Sequence, residues 1–395
     1  MTTEVFPLDP TGRLLRDDTA RLQSAGPAAR VELPGGIAAW SVTRYDVLRR
    51  LTEDNRLSRD ARQHWPGLAD VPEDWPLAPF LISPTVLNAY GSDRRRLRGI
   101  MEAAFTPERL QALHDNLKKR LPVLLDDLGS SAVVDVRADF AQVIATETLC
   151  DLFGVPVEEW PEARRAMLDL LTPSGDPEVA AGQLKSVLDL LAALIAGKRE
   201  APGPDMATTL AQASDMTDEE RVLALAVTIA GGVPATTDLI TNAVLDLLRH
   251  PDQRSAASEG AVPWTAVIEE TLRFDAPVLH MPLRYAVEDI DLGAGVVIRQ
   301  GDSVLMGFGA GGRDPHLHGE TADTFDVHRS DKAHLAFGHG VHYCIGAPLG
   351  RLMAEEALPA LFGRFPDLEL AGPADRLQPL PTFIFNGKTE LPVRL

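Results

Sequence analysis

The residues with the most chemistry in their spacing run Phe337-Gly338-His339-Gly340-Val341-His342-Tyr343-Cys344-Ile345-Gly346, followed by Ala347-Pro348-Leu349-Gly350-Arg351. The glycines cluster ahead of a helix rather than inside a linker. From Ile345 onward, Leu349, Leu352, Met353, Leu358, Leu361 and Phe362 mark an amphipathic stripe, which puts Cys344 at or just before a helix N-terminus. Unpaired amides and the helix dipole there would favour a thiolate. Gly338, Gly340 and Gly346 would let the backbone turn tightly and approach a flat ligand without Cβ clashes. The competing reading of an isolated cysteine is a buried packing residue, which suits Cys150 in Thr146-Glu147-Thr148-Leu149-Cys150. Zinc explains Cys344 poorly, because no second cysteine or paired histidine stands beside it at structural zinc spacing. A lone thiolate is better used under a macrocycle, where it holds iron and pushes electron density toward O–O cleavage.

At these residues the chain resembles the cytochrome P-450 family, whose pattern Phe-Gly-x-Gly-x-[His/Arg]-x-Cys-x-Gly is met from Phe337 to Gly346. A second motif, Glu270-Thr271-Leu272-Arg273, matches the Glu-x-x-Arg of the family's K helix. At i and i+3 the two side chains share a helix face and can pair behind the haem loop. The likeness continues through His280-Met281-Pro282-Leu283-Arg284, Gly312-Arg313-Asp314-Pro315 and Thr324-Phe325-Asp326, and spans nearly the whole chain. It implies a mainly α fold, with haem b (iron protoporphyrin IX) between a distal helix and the cysteine loop. Cys344 would be the iron ligand, with Phe337, Gly338, Gly346 and Gly231 against the macrocycle. Arg98, Arg284 and His342 match family positions that contact the haem propionates. Arg94 joins them at a position where many relatives carry histidine.

The distal helix departs from the family pattern. Counting back from Leu239-Ile240 and from Arg249-His250-Pro251-Asp252 gives an ungapped register, with Gly231 and Gly232 on the family's small pair. Pro234 then replaces the acid and Ala235 the threonine that help protonate iron-bound dioxygen. Thr236 and Thr237 follow, and a slip of one residue would return a threonine to the groove. Neither proline nor alanine has a side-chain donor, and Pro234 also removes an amide, which predicts a widened or kinked helix. The segment reads equally as a kink that accommodates the haem and as a change in mechanism.

Three activities are compatible with such a site. Monooxygenation would draw protons from ordered water, a substrate hydroxyl or Thr236. Oxidative C–C, C–N or phenol coupling would proceed without oxygen insertion. A noncatalytic haem sensor would be expected to carry an appended module. By family position, Trp75, Leu87, Val227, Ala230, Pro234, Val278, Leu279 and Phe383 are the expected substrate contacts, together with Gly231 and Ala235. Few charges fall among them, so the expected substrate is apolar, and the likeness to actinobacterial tailoring enzymes points to a secondary metabolite. The resemblance also implies O2 as co-substrate, and ferredoxin with ferredoxin reductase as the electron source. Arg94, Arg95, Arg96, Lys118, Lys119 and Arg120 form a basic island that would steer an acidic ferredoxin.

The elements that must hold these residues are legible in the spacing. The runs Val31 to Leu33 and Ile37 to Val42 bracket Pro34-Gly35-Gly36 and predict a hairpin, with a short helix over Arg44 to Leu51. Apolar residues at three- and four-residue spacing predict helices from about Asp93, from Thr106 to Leu125, and over Phe140–Leu152, Glu178–Ala196, Asp218–Arg249 and Trp264–Arg273. Residues 61–90 lack sustained periodicity and are expected to be a long loop. Short strands are expected over Arg284–Val287, Val296–Arg299 and Ser303–Phe308. Together these predict one domain over 1–395, with β-rich parts near 28–57, 280–310 and 380–395 and a helical body over 61–275 and 311–380.

Composition narrows the partners. With 38 Lys and Arg against 57 Asp and Glu, the net charge is −19, which disfavours nucleic acid as a general partner. No signal peptide is evident in the N-terminal residues, and no run of about 18 uncharged apolar residues predicts a membrane span. Two cysteines in 395 residues suit a reducing cytoplasm.

Overall fold

The computed structural model describes residues 5–72, 75 and 77–395. Its centre is the helix Asp218–Arg249, which packs on Gln142–Phe153, Pro177–Glu200, Trp264–Phe274 and Ala347–Arg364. Thr217 starts this helix with a reciprocal cap. Its hydroxyl accepts from the Glu220 amide, while the Glu220 carboxylate accepts from the Thr217 amide. Ile229, Val233, Leu239, Ile240, Ala243, Val244 and Leu247 bury the helix in the main core, so one with this much apolar sequence runs through the protein interior. The backbone stays helical through Pro234, from Asp218 to Arg249.

The other expected helices begin and end close to their predicted positions, while those at Leu15–Ser24, Trp160–Leu171, Met206–Gln212 and Pro251–Ser258 were not foreseen. The Pro107–Leu128 helix is capped by Thr106, Gln142–Phe153 is preceded by a π-turn over Val136–Ala141, and Pro177–Glu200 extends past the predicted Ala196. Pro177–Glu200 and Asp218–Arg249 are both long and apolar enough to cross a membrane by length and composition, although neither segment is free of charge. The stretch expected as a loop instead holds short helices at Ala61–His64 and Ala78–Ile82, and a 3₁₀ turn at Pro66–Asp70.

The largest sheet has six strands, in the order Val5–Pro7, Ala29–Leu33, Ile37–Val42, Ser303–Met306, Met281–Ala286 and Leu57–Ser58. The predicted hairpin is its second and third strands, with Leu33 opposite Ile37. A second sheet joins Glu369–Leu370, Pro392–Arg394 and Val133–Asp135, and a third pairs Ile290–Gly293 with Val296–Ile298. The first sheet matters most for the site. It carries Arg284 on Met281–Ala286 and joins that strand antiparallel to Leu57–Ser58, some 225 residues away in sequence (~225).

Candidate active site

A cavity of about 570 Å³ lies between the long helix and the Cys344 loop. Phe337, Gly338, Val341, His342, Tyr343, Cys344, Ile345 and Gly346 form one wall, and Ala230, Gly231, Gly232, Ala235 and Thr236 face them. The loop is fixed by its own backbone. The Cys344 amide donates to the Phe337 carbonyl at 2.9 Å, Gly338 N–H donates to Leu335 O at 2.8 Å, and Tyr343 N–H donates to Gly340 O at 3.0 Å. Gly338 and Gly340 sit at φ +70° and +62°, in the left-handed region that favours glycine. The following helix, Ala347–Arg364, begins after Gly346, so only Ile345 and Gly346 separate Cys344 from it.

Cys344 is exposed only in the sense that it faces this cavity; protein surrounds it on the other sides. Burial pushes its thiol above the ordinary value. The amides of Gly346 and Ala347 and the charges of Arg98 and Arg351 pull it down, but by less. The amides before the helix favour the thiolate in the expected direction, but burial outweighs them, and a cation held at the sulfur would favour it further. Cys150 is fully buried in the core, and burial holds its thiol up at about 12.

Behind the loop, Glu270 and Arg273 are both 0% exposed. Arg273 Nε and Nη2 donate to the Glu270 carboxylate at 2.9 and 2.7 Å. Its other donors reach the carbonyls of Gly312, Ala322 and Thr324, while Glu270 Oε1 accepts the Asp326 amide at 2.8 Å. The pair thus ties the helix Trp264–Phe274 to the chain leading into Phe337. A neighbouring residue missed by sequence reasoning does similar work. Glu269 accepts from Arg351 at 2.6 Å and lies 2.9 Å from His334 Nε2. Burial opposes its charge, yet those two partners hold its carboxyl down at about 2.

One end of the cavity is strongly cationic. Arg94, Arg98, Arg284 and His342 all line it, as the resemblance implied, and Arg59 joins them. Arg94 and Arg98 donate to the Val341 and Tyr343 carbonyls at 2.7 and 2.6 Å, which ties the Gly91–Glu102 helix to the cysteine loop. Burial, and then Arg284 and Arg59, push His342 down to about 2, so its ring is neutral. The Nε atoms of Arg59 and Arg284 are buried without hydrogen-bond partners among the described residues. A planar group carrying carboxylates at one edge and a thiolate-binding metal at its centre satisfies these features together: apolar faces, an accessible sulfur and orphaned cationic donors. Gly231 completes the fit, since a Cβ there would meet nothing within 4 Å and would project into the cavity.

The expected substrate contacts divide. Leu87, Val227, Ala230 and Val278 line the cavity, with Gly231 and Ala235. Trp75, Pro234, Leu279 and Phe383 do not. Trp75 donates its indole N–H to Pro34 O at 2.7 Å and packs in a separate apolar cluster with Leu279 and Phe383. Phe383 packs in that cluster, whereas the next two residues, Ile384 and Phe385, line the cavity and Phe385 bridges Val278. Sequence reasoning also missed Leu77, Phe80, Leu170, Leu171 and Thr228. Their spacing marks them only as apolar helix positions, and nothing in it distinguishes cavity from core.

The basic island is smaller than its sequence suggests. Arg96 pairs with Glu220 at 2.6 Å, and Arg120 with Asp151 at 3.2 Å. Arg94 and Arg98 face the cavity, leaving Arg95, Lys118 and Lys119 exposed.

A helical body with a glycine-framed cysteine under the central helix, a cationic edge and an apolar distal wall defines a haem-thiolate oxidoreductase. The family model "Cytochrome P450" matches residues 264–383. Over 399 residues the chain is 38% identical to 2-hydroxy-5-methyl-1-naphthoate 7-hydroxylase of Streptomyces carzinostaticus, covering 99% of this chain and 97% of that one. It is 33% identical to 6-deoxyerythronolide B hydroxylase of Saccharopolyspora erythraea, over 95% of this chain and 94% of that one. Among solved structures, testosterone-bound CYP154C4 from Streptomyces sp. ATCC 11861 superposes with a TM-score of 0.93 at 36% identity, covering 99% and 98% of the two chains. The chain belongs to the cytochrome P450 family; these two relatives are named as hydroxylases, and a third, from Bacillus subtilis, as a polyketide biosynthesis cytochrome P450.

Proposed function

We propose that this chain is a cytoplasmic haem b monooxygenase acting on a secondary metabolite with an apolar skeleton, with Cys344 as the residue that would hold the haem iron and electrons delivered by ferredoxin and ferredoxin reductase. The carrying observation is the segregation of the cavity. Its charged side chains, Arg59, Arg94, Arg98 and Arg284, gather at one edge with the neutral His342, while the distal wall is Leu77, Phe80, Leu87, Leu170, Leu171, Val227 and their neighbours. Such a wall accepts a rigid apolar skeleton and penalises a charged one by the cost of an unpaired buried ion. The names of the relatives, a naphthoate hydroxylase and a macrolactone hydroxylase, favour a polycyclic or polyketide substrate. Bound haem supplies the activation of dioxygen; this chain supplies orientation, exclusion of water and proton delivery.

Proton delivery would follow from the altered helix. Pro234 has no amide, so the carbonyl of Ala230, on the cavity wall, has no i+4 N–H to accept. Thr228 and Thr241 return their hydroxyls to the carbonyls of Ala224 and Thr237, whereas Thr236, also on the wall, makes no such bond among the described residues. A free carbonyl and a free hydroxyl within two helical turns suit an ordered water or a substrate hydroxyl, the two proton sources open to a site without the family's acid and threonine.

The same absence favours a second reading, oxidative coupling without oxygen insertion. Labelled dioxygen separates the two, since incorporation of label into product supports monooxygenation and its absence from product supports coupling. Ala235→Thr should raise the fraction of electrons recovered in product if proton supply limits the reaction. Unchanged or poorer coupling would instead favour delivery by the substrate. Cys344→Ser should remove the red-shifted Soret band of the reduced carbon monoxide complex, and its retention would exclude Cys344 as the ligand.

A further inference from the structure

The cationic edge holds more charge than the family resemblance requires, and Arg59 is the unexplained part. It follows directly on the strand Leu57–Ser58, whose register sets Leu57 opposite Ala286 and Ser58 opposite Tyr285. One further step of that antiparallel register brings Arg59 against Arg284. The two guanidiniums are 3% and 2% exposed, and neither forms an ion pair among the described residues. Arg59 Nη2 donates to the Pro282 carbonyl at 3.1 Å and Arg284 Nη1 to Leu51 O at 3.5 Å, leaving both Nε atoms buried without partners. Burial lowers both, leaving Arg59 at about 10 and Arg284, which the neighbouring Arg59 charge lowers further, at about 9.

Like charges across an antiparallel pair are destabilising, and an unpaired buried ion costs several kcal/mol. Two such arginines side by side therefore require an anion between them. Both line the same cavity, so the anion belongs to its occupant rather than to solvent.

We infer that Arg59 is a direct haem-propionate ligand, sharing one carboxylate with Arg284 and so fixing the tilt and retention of the cofactor. This rests on the haem b reading above. The planar forks of both arginines can donate to one carboxylate, while Arg94, Arg98 and His342 remain for the other. Arg59 is then a positioning residue for the cofactor, joined to the site by strand pairing alone.

The test is a cycle between side chain and cofactor. Wild type, Arg59→Gln and Arg59→Lys are each loaded with haem or with its dimethyl ester, whose esterified propionates carry no charge. Haem loss to excess apomyoglobin is then timed, and the ferric–ferrous potential measured. With native haem, Arg59→Gln should lose the cofactor about tenfold faster or more, the scale of one charge-assisted hydrogen bond, with Arg59→Lys in between. Its potential should fall, because an unscreened propionate favours the ferric state; a tenfold change in that equilibrium is about 59 mV. With the dimethyl ester, all three chains should lose cofactor at the same rate.

Equal rates with native haem would overturn the inference, as would an undiminished difference with the ester. Should Arg59→Gln fail to hold either cofactor, Arg59→Lys decides on the same criteria. Failure of the haem reading itself would look different, because wild type would then take up no haem and show no thiolate-type carbon monoxide spectrum.

Discussion

Arg273→Lys tests how the support behind the cysteine loop works. Arginine has five N–H donors. Here Nε and Nη2 reach Glu270, Nη1 reaches Gly312 and Ala322, and Nη2 also reaches Thr324, all at 2.7 to 2.9 Å. Lysine keeps the charge but brings only three donors, so two of those acceptors must go unpaired in a site with no exposure. At about 1–3 kcal/mol for each buried orphan, the loss is about 2–6 kcal/mol, against a typical total stability of about 5–15 kcal/mol. Urea unfolding of the loaded enzyme, followed by far-UV circular dichroism and by the Soret band, should show an earlier midpoint. The Soret change should lead, because the Gly312, Ala322 and Thr324 carbonyls lie on the path into Phe337. A midpoint within about 0.5 kcal/mol of wild type would refute the donor count, as surface substitutions fall in that range. Glu270→Gln, which keeps an acceptor for Asp326 but loses the charge, should be destabilising through Arg273 and leave the three carbonyl contacts intact.

Two further outcomes follow from the site and its surroundings. Gly231→Leu should fill the space a Cβ would open into, lowering haem content and abolishing substrate-induced spin-state shifts in the haem that remains; full haem content with a retained shift would place both groups elsewhere. Asp238 is buried beside Arg137, and burial holds its carboxyl up at about 6 although Arg137 pulls it down. Because the folded state binds this proton more tightly than the unfolded chain, its protonation adds stability below about pH 4, and that contribution is lost as pH rises to about 6. The loss amounts to about 3 kcal/mol. Asp238→Asn should flatten that part of the stability–pH curve, and an unchanged slope between pH 4 and 6 (~4 to ~6) would exclude Asp238 as its source.

The local chemistry of the cysteine loop was written in the sequence because it is local. A glycine at positive φ, a cysteine before a helix and a Glu and Arg on one helical face are each set by neighbours within a few residues. The same holds for the long helix, whose capping residues and apolar spacing gave its ends at Asp218 and Arg249. The contacts around the cavity were different. Trp75, Leu279 and Phe383 carry the same apolar signal as Leu87 and Val278, and only packing decided which faced the open space. The charge run at Arg94 to Arg98 looked uniform, yet Glu220 neutralises Arg96 from the far end of another helix.

By itself, then, the sequence determined the family, the cysteine at the centre of the site and the support behind it. Tertiary structure decided which cations reach the cavity and which side chains form its wall. Arg59 shows why. Nothing near it in the chain announces a binding role, and its meaning comes from a two-residue strand laid antiparallel to one more than two hundred residues away (~200), which sets two buried arginines side by side. Short-range patterns encode helices and turns, whereas the convergence of unpaired charges on one cavity exists only once the sheet has formed.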